Sequence, residues 1–143
     1  MSGDPVLPDA AVPPPGPTAS EPPSALPPPN AVRRELTGGT LLAVGLRANL
    51  LQAAWNFERQ QGIGWAFALA PALRRLYPAR AERLAKLAEH TAYFNTQPTL
   101  ASLALGAAAR AEEEQVARGV ADPASMARLK AALGSTLAAM GDR

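Results

Sequence analysis

The chain has 143 residues, a formal charge of +2, fifteen prolines, one histidine and no cysteine. The length fits one domain, and the lack of cysteine excludes disulfides, thiolate catalysis and cysteine-held metal. The charge is too mild for a nucleic-acid-binding surface, and no nucleic acid is expected as a partner.

Residues 1–30 form a Pro/Ala/Ser arm with eleven of the fifteen prolines, three acids (Asp4, Asp9, Glu21) and no Lys or Arg. Such a composition favours polyproline II, and a flexible leader is the expectation for residues 1–35. The arm lacks the basic-then-apolar order of a signal peptide. The remaining residues carry fourteen bases against nine acids, a balance that also suits an anionic membrane surface. The rest of the chain, 36–143, is expected to be one all-α domain of about five short helices, some in Gly/Pro-broken hairpins.

Arg33 to Thr37 is a polar lead-in, interrupted by Gly38-Gly39. A helix is expected from Thr40 to about Gln60, with Leu41, Val44, Ala48, Leu51, Trp55 and their neighbours Leu42, Leu46 and Leu50 as a broad apolar face. Gly62 and Gly64 interrupt it. A second, shorter helix runs from Trp65 to Tyr77, with Pro71 expected to kink it or mark its first turn, and Pro78 stops it. Ala79 to Tyr93 reads as an amphipathic helix with Leu84, Leu87, Thr91 and Phe94 on one face and a Glu82–Lys86 pair at i,i+4 on another.

Asn95-Thr96-Gln97-Pro98 breaks the chain and caps the next helix, about Thr99 to Arg118, rich in small residues that allow close backbone approach. Gly119 ends it. Asp122-Pro123 is an N-cap and first-turn pair that opens the last helix. No strand and no internal repeat is evident. Two uncharged apolar stretches, Gln60 to Leu73 and Thr96 to Ala109, are about fourteen residues each, whereas a spanning helix needs roughly twenty. Segments of this length are buried core helices, or re-entrant and interfacial ones.

Catalytic chemistry has little behind it. Glu58 has no sequence-visible partner carboxylate. No phosphate-binding glycine loop and no serine-nucleophile setting is present. His90 reads as a surface or capped residue without a ligand-spaced set, so no metal and no cofactor is expected. Glu112 to Glu114 reads as a solvated helix end. Trp55 and Trp65 are core or interface anchors.

Two polar-aromatic clusters stand out: Trp55-Asn56-Phe57-Glu58-Arg59 and Tyr93-Phe94-Asn95-Thr96-Gln97-Pro98. Polar groups wedged between apolar segments are costly unless paired or put to use. With Asn49 to Ala54, Pro71 to Pro78, His90, Leu105-Gly106, Glu113-Glu114-Gln115 and Gly141-Asp142, they form an ordered series. From Leu46 to Asp142 this series resembles the N-terminal part of the D subunit (enzyme IID component) of the mannose/fructose/sorbose family of phosphotransferase-system permeases. Some positions depart from it. Tyr93 stands where phenylalanine is usual, Leu103 replaces a proline, and residues 134–139 lack the usual proline and glycine. Members of the family continue past this Gly-Asp through several membrane helices, so a truncated, split or degenerate form is expected.

The resemblance implies a non-catalytic permease subunit at the bacterial cytoplasmic membrane. It would pair with a C subunit and carry a hexose that the A and B phosphocarrier subunits phosphorylate. It implies no phosphate on His90. Trp55, Asn56, Glu58, Asn95 and Gln97 are the side-chain types a sugar site needs; inter-helix hydrogen bonding would account for them as well. Phe57, Arg59, His90, Phe94, Pro98 and Asp142 belong to the motifs without an assigned contact. The alternative is a soluble helical interaction domain descended from such a subunit.

Overall fold

The computed structural model describes residues 35–141. The proline-rich arm and Asp142 lie outside them. Among the described residues there are five α-helices and no strand, so the all-α expectation holds. They are α1 (Gly38–Ala48), α2 (Gly62–Leu76), α3 (Arg80–His90), α4 (Ala101–Arg118) and α5 (Pro123–Gly141), with one 3-10 turn at Pro98–Leu100.

α4 is the hub, packed on α1, α2 and α5. Its buried residues are small ones, Ala101, Ala104, Ala108 and Ala109, around Leu105. Side chains this short let α2 bring Trp65, Leu69, Ala72, Leu73 and Leu76 into a closely packed core. α3 also packs on α2.

Thr37, rather than a residue beyond the glycines, opens α1: its hydroxyl accepts from Thr40 N at 3.3 Å, and Gly38-Gly39 form the first turn. The expected run to Gln60 does not occur. After Ala48 the backbone bonds shorten from i→i−4 to i→i−3, at Leu50, Leu51, Ala53 and Trp55, and the side chain of Asn49 takes the Leu46 carbonyl. This tightening buries Leu51 but turns Leu50 and Trp55 toward solvent. Leu42 and Leu46 are exposed too, so the buried stripe is narrower than the apolar one.

α2 begins at Gly62, three residues before Trp65, because the turn before it is forced by packing. A Cβ on Gly64 would lie 1.9 Å from the Leu51 carbonyl oxygen, so only glycine lets the two backbones meet. Pro71 sits well inside α2. It removes the N–H that would bond the Phe67 carbonyl. Arg47 replaces that donor: its Nη1 lies 3.3 Å from Phe67 O, with the guanidinium over the Phe67 ring.

α3 is shorter than expected and presents a different face. Leu84 is exposed, whereas Lys86 and His90 are buried. Lys86 turns away from Glu82 to meet Glu89 at 3.0 Å and Glu112 at 3.6 Å. α4 ends as expected at Gly119, in the left-handed region at φ 65°, with Val120 N closing on Gln115 O. Asp122 Oδ1 accepts from Ser125 N at 2.8 Å and caps α5. No helix among the described residues is long and apolar enough to cross a membrane.

Candidate functional site

The fold brings the two polar-aromatic clusters side by side. The chain folds back between Asn56 and Gln60, where Gln60 takes φ 51°. Gln60 then bridges to Phe94. Gln61 N donates to Phe94 O at 2.9 Å. The buried Gln61 side chain completes the pairing, donating to Thr96 O at 2.8 Å and accepting from Thr96 N at 3.0 Å. An amide side chain thus stands in for a neighbouring strand, and satisfies the backbone of an irregular loop next to the core.

The motif residues divide by role on this platform. Phe94 is buried against Trp65, ring centroids 4.0 Å apart. Asn56 Oδ1 accepts from Arg59 N at 2.8 Å and closes the turn. Arg59 reaches Thr91 Oγ1 at 3.0 Å. Pro98 begins the 3-10 turn. Gln97 packs where Gly141 leaves room for it. Trp55 and Phe57 meet edge to face at 5.0 Å, and both are exposed. Glu58 is exposed beside Arg59, and Asn95 is exposed. Between Asn95 and Gln97, Thr96 is buried, and its hydroxyl has no hydrogen-bond partner among the described residues. An orphaned buried hydroxyl costs about 1–3 kcal/mol.

His90 belongs to a different constellation, one that sequence reasoning missed. It is fully buried, not at the surface, and Glu112 is buried rather than part of a solvated acidic run. Trp65 Nε1–H donates to His90 Nδ1 at 3.2 Å. Indole is a donor only, so Nδ1 must accept and the proton sits on Nε2. Nε2 then donates to Glu112 Oε1 at 3.0 Å, while Tyr77 O–H donates to Glu112 Oε2 at 2.6 Å. Burial alone would raise the Glu112 pKa. The bonds from His90 and Tyr77 and the charge of Lys86 outweigh it and hold the carboxyl below its ordinary value. Burial, then the Glu112 charge and hydrogen bond, push the Tyr77 phenol well up. The protons of this cluster are therefore committed, and it fastens α2, α3 and α4 together. The legible signal was the i,i+4 spacing of Lys86 and His90, opposite a triple acid.

A second buried cation, Lys130 of α5, donates from Nζ to His90 O and Ala92 O, both at 3.1 Å. No group of three or more His, Asp or Glu among the described residues is placed to hold a metal.

The comparisons with known proteins agree on one family. Residues 35–143 match the model for the PTS system mannose/fructose/sorbose family IID component. The sorbose-specific EIID component of Klebsiella pneumoniae is 36% identical over 110 residues, covering 77% of this chain and 40% of that protein. The mannose-specific EIID component of Escherichia coli K12 is 39% identical over 110 residues, 76% of this chain and 39% of that one. The fructose permease IID component of Bacillus subtilis is 32% identical over 109 residues, 76% of this chain and 40% of that one. Among solved structures, the mannose transporter ManYZ in complex with microcin E492 matches at a TM-score of 0.72 and 38% identity, over 76% of this chain and 40% of that one. The chain thus spans about two fifths of the length of these relatives. With its described helices, its paired motif loops and a family match across residues 35–143, the chain belongs to the IID components of the mannose/fructose/sorbose family of the phosphotransferase system.

Proposed function

We propose that this chain contributes one wall of a hexose translocation path in a phosphotransferase-system permease at the bacterial cytoplasmic membrane. Its partner is a C subunit, and the A and B phosphocarriers act on the sugar the permease delivers. The chain itself binds and positions; phosphorylation takes place on its partners. The observation that carries this reading is the Gln61–Thr96 pairing, which sets the Trp55–Arg59 turn beside the Asn95–Gln97 loop. The two segments expose a carboxylate (Glu58), an amide (Asn95) and an aromatic face (Trp55). Those are the groups that hydrogen-bond sugar hydroxyls and stack on a pyranose ring. Gln97 and the orphaned Thr96 hydroxyl lie on the same loop. Asn56 serves by holding the turn, since its side-chain oxygen already accepts from Arg59 N. The ManYZ mannose transporter shares this fold over the matched segment.

The test is hexose uptake by cells that co-express the chain with a C subunit and the phosphocarriers. Glu58→Gln and Asn95→Ala should abolish uptake, yet leave the chain co-purifying from membranes with the C subunit. If either substitution instead breaks the complex, those side chains are structural and the sugar surface lies elsewhere.

A further inference from the structure

We propose that Lys130 is a positioning residue for the Asn95–Gln97 loop: from α5 it grips the carbonyls that end α3 and lies over the rings beneath the loop. The proposal rests on the reading that this loop faces sugar.

Lys130 is only 5% exposed. Its Nζ bonds His90 O and Ala92 O, each at 3.1 Å, and stands 5.4 Å from the Trp65 ring centroid and 5.9 Å from that of Phe94. Every one of these contacts favours a cation. Carbonyls at a helix C-terminus lack intrahelical donors and form the negative end of the dipole. Aromatic faces attract ammonium groups. Among the described residues Lys130 makes no ion pair, so no carboxylate offsets its burial.

The titratable groups on the elements around it are Tyr77, which caps the end of α2, Lys86 and His90 on α3, and Glu112 on α4. These four bond one another, and Lys130 meets them through the His90 carbonyl. Burial pushes the Lys130 ammonium down to about 8, so its charge is held against desolvation. An aliphatic residue would fill the space without that cost but would leave both carbonyls without donors.

The rest of α5 follows the same loop. A Cβ on Gly134 would lie 3.2 Å from Asn95 O and 3.5 Å from the Phe94 ring, and one on Gly141 would lie 2.6 Å from Gln97. Lys130 therefore anchors the helix that backs the loop, and also fixes Ala92, two residues before Phe94. Its action on sugar is indirect, through Asn95 and Gln97.

The full chain is compared as wild type, Lys130→Met and Lys130→Arg by backbone hydrogen exchange. In Lys130→Met the amides of Thr91 to Thr96 should exchange about tenfold faster while those of α1 stay unchanged. Lys130→Arg, which keeps a cation and donors, should remain within about threefold of wild type. Unchanged exchange in Lys130→Met overturns the proposal.

Should Lys130→Met unfold throughout, the wild type decides by NMR. The Lys130 Nζ, the Trp65 indole N–H and the Thr96 amide should then share one titration midpoint, near 8. A Thr96 amide that ignores the Lys130 titration overturns the proposal. In the assembled permease, Lys130→Met should raise KM for hexose about tenfold with kcat within about twofold. A fall in kcat alone overturns the link to sugar binding. If exchange responds as expected but the wild-type permease takes up no hexose, the sugar reading fails and the anchoring of the loop stands.

Discussion

Replacing Glu112 by Gln isolates the buried cluster at the centre of the fold. The carboxylate accepts from Tyr77 O–H at 2.6 Å and from His90 Nε2–H at 3.0 Å, with Lys86 Nζ 3.6 Å away. Both hydrogen-bond partners are donors in this arrangement. An amide has one acceptor oxygen: set on His90 Nε2–H, it leaves its NH2 facing Tyr77, whose hydroxyl must turn from donor to acceptor. Two charge-assisted bonds, each worth roughly 1.5–3 kcal/mol, fall to the ~1 kcal/mol of neutral pairs. Lys86 loses one carboxylate but keeps Glu89. The expected cost is about 2–3 kcal/mol, against a typical domain stability of roughly 5–15 kcal/mol.

The assay is urea unfolding followed by the fluorescence of the buried Trp65. The midpoint should fall with the slope unchanged. Tyr77→Phe added to Glu112→Gln should cost much less than Tyr77→Phe alone, a coupling of about 1 kcal/mol or more. The pH dependence gives an internal check. The folded Glu112 pKa lies below its ordinary 4.5, so its contribution is present above that pH and is lost as pH falls through the folded value. The difference between wild type and Glu112→Gln should therefore shrink in acid. A cost below about 1 kcal/mol at neutral pH, or a difference that grows in acid, would show that Glu112 is not a bonded carboxylate at the centre of the fold.

Further outcomes follow from other parts of the structure. Gly64→Ala places a Cβ 1.9 Å from the Leu51 carbonyl, where backbone must move, and should cost about 3 kcal/mol or prevent folding; a near-neutral melt would show that the α1–α2 contact is loose. Gly119→Ala forces φ 65° on a residue with a Cβ and should cost about 1 kcal/mol in the same melt. Thr96→Val removes the orphaned hydroxyl and should gain about 1 kcal/mol of stability while lowering hexose uptake; lost stability would show that the hydroxyl is bonded within the fold. In alkali two groups oppose each other. Lys130 has a folded pKa of about 8 against an ordinary 10.5, so the unfolded chain binds more protons in that window and stability rises with pH. Tyr77 is raised above its ordinary 10.0, so above that pH the folded chain binds more and stability falls. A urea-midpoint series should show the rise in wild type and its absence in Lys130→Met.

The helical class was legible from residue order alone, because apolar spacing, prolines and glycines act within a few residues. Asp122 capping α5, Gly119 ending α4 and the small-residue face of α4 are all local effects, and each stands where the spacing put it. The two motif clusters were legible as polar groups out of place in an apolar setting, and the resemblance gave them a family. Which of these groups meet was settled by the packing of the helices. α1 stops at Ala48 because packing of Leu51 against Gly64 outweighs a helical periodicity that could have run on to Gln60. Pro71 stays inside α2 because Arg47, from another helix, supplies the missing donor. Lys86, His90 and Lys130 look like surface residues in the sequence, since a charge or an imidazole in isolation belongs in water. They are buried because Glu112, Tyr77, Trp65 and the end of α3 converge on them from elements up to forty residues away. Desolvation is set by the residue itself, but the partners that offset it exist only once the helices have packed.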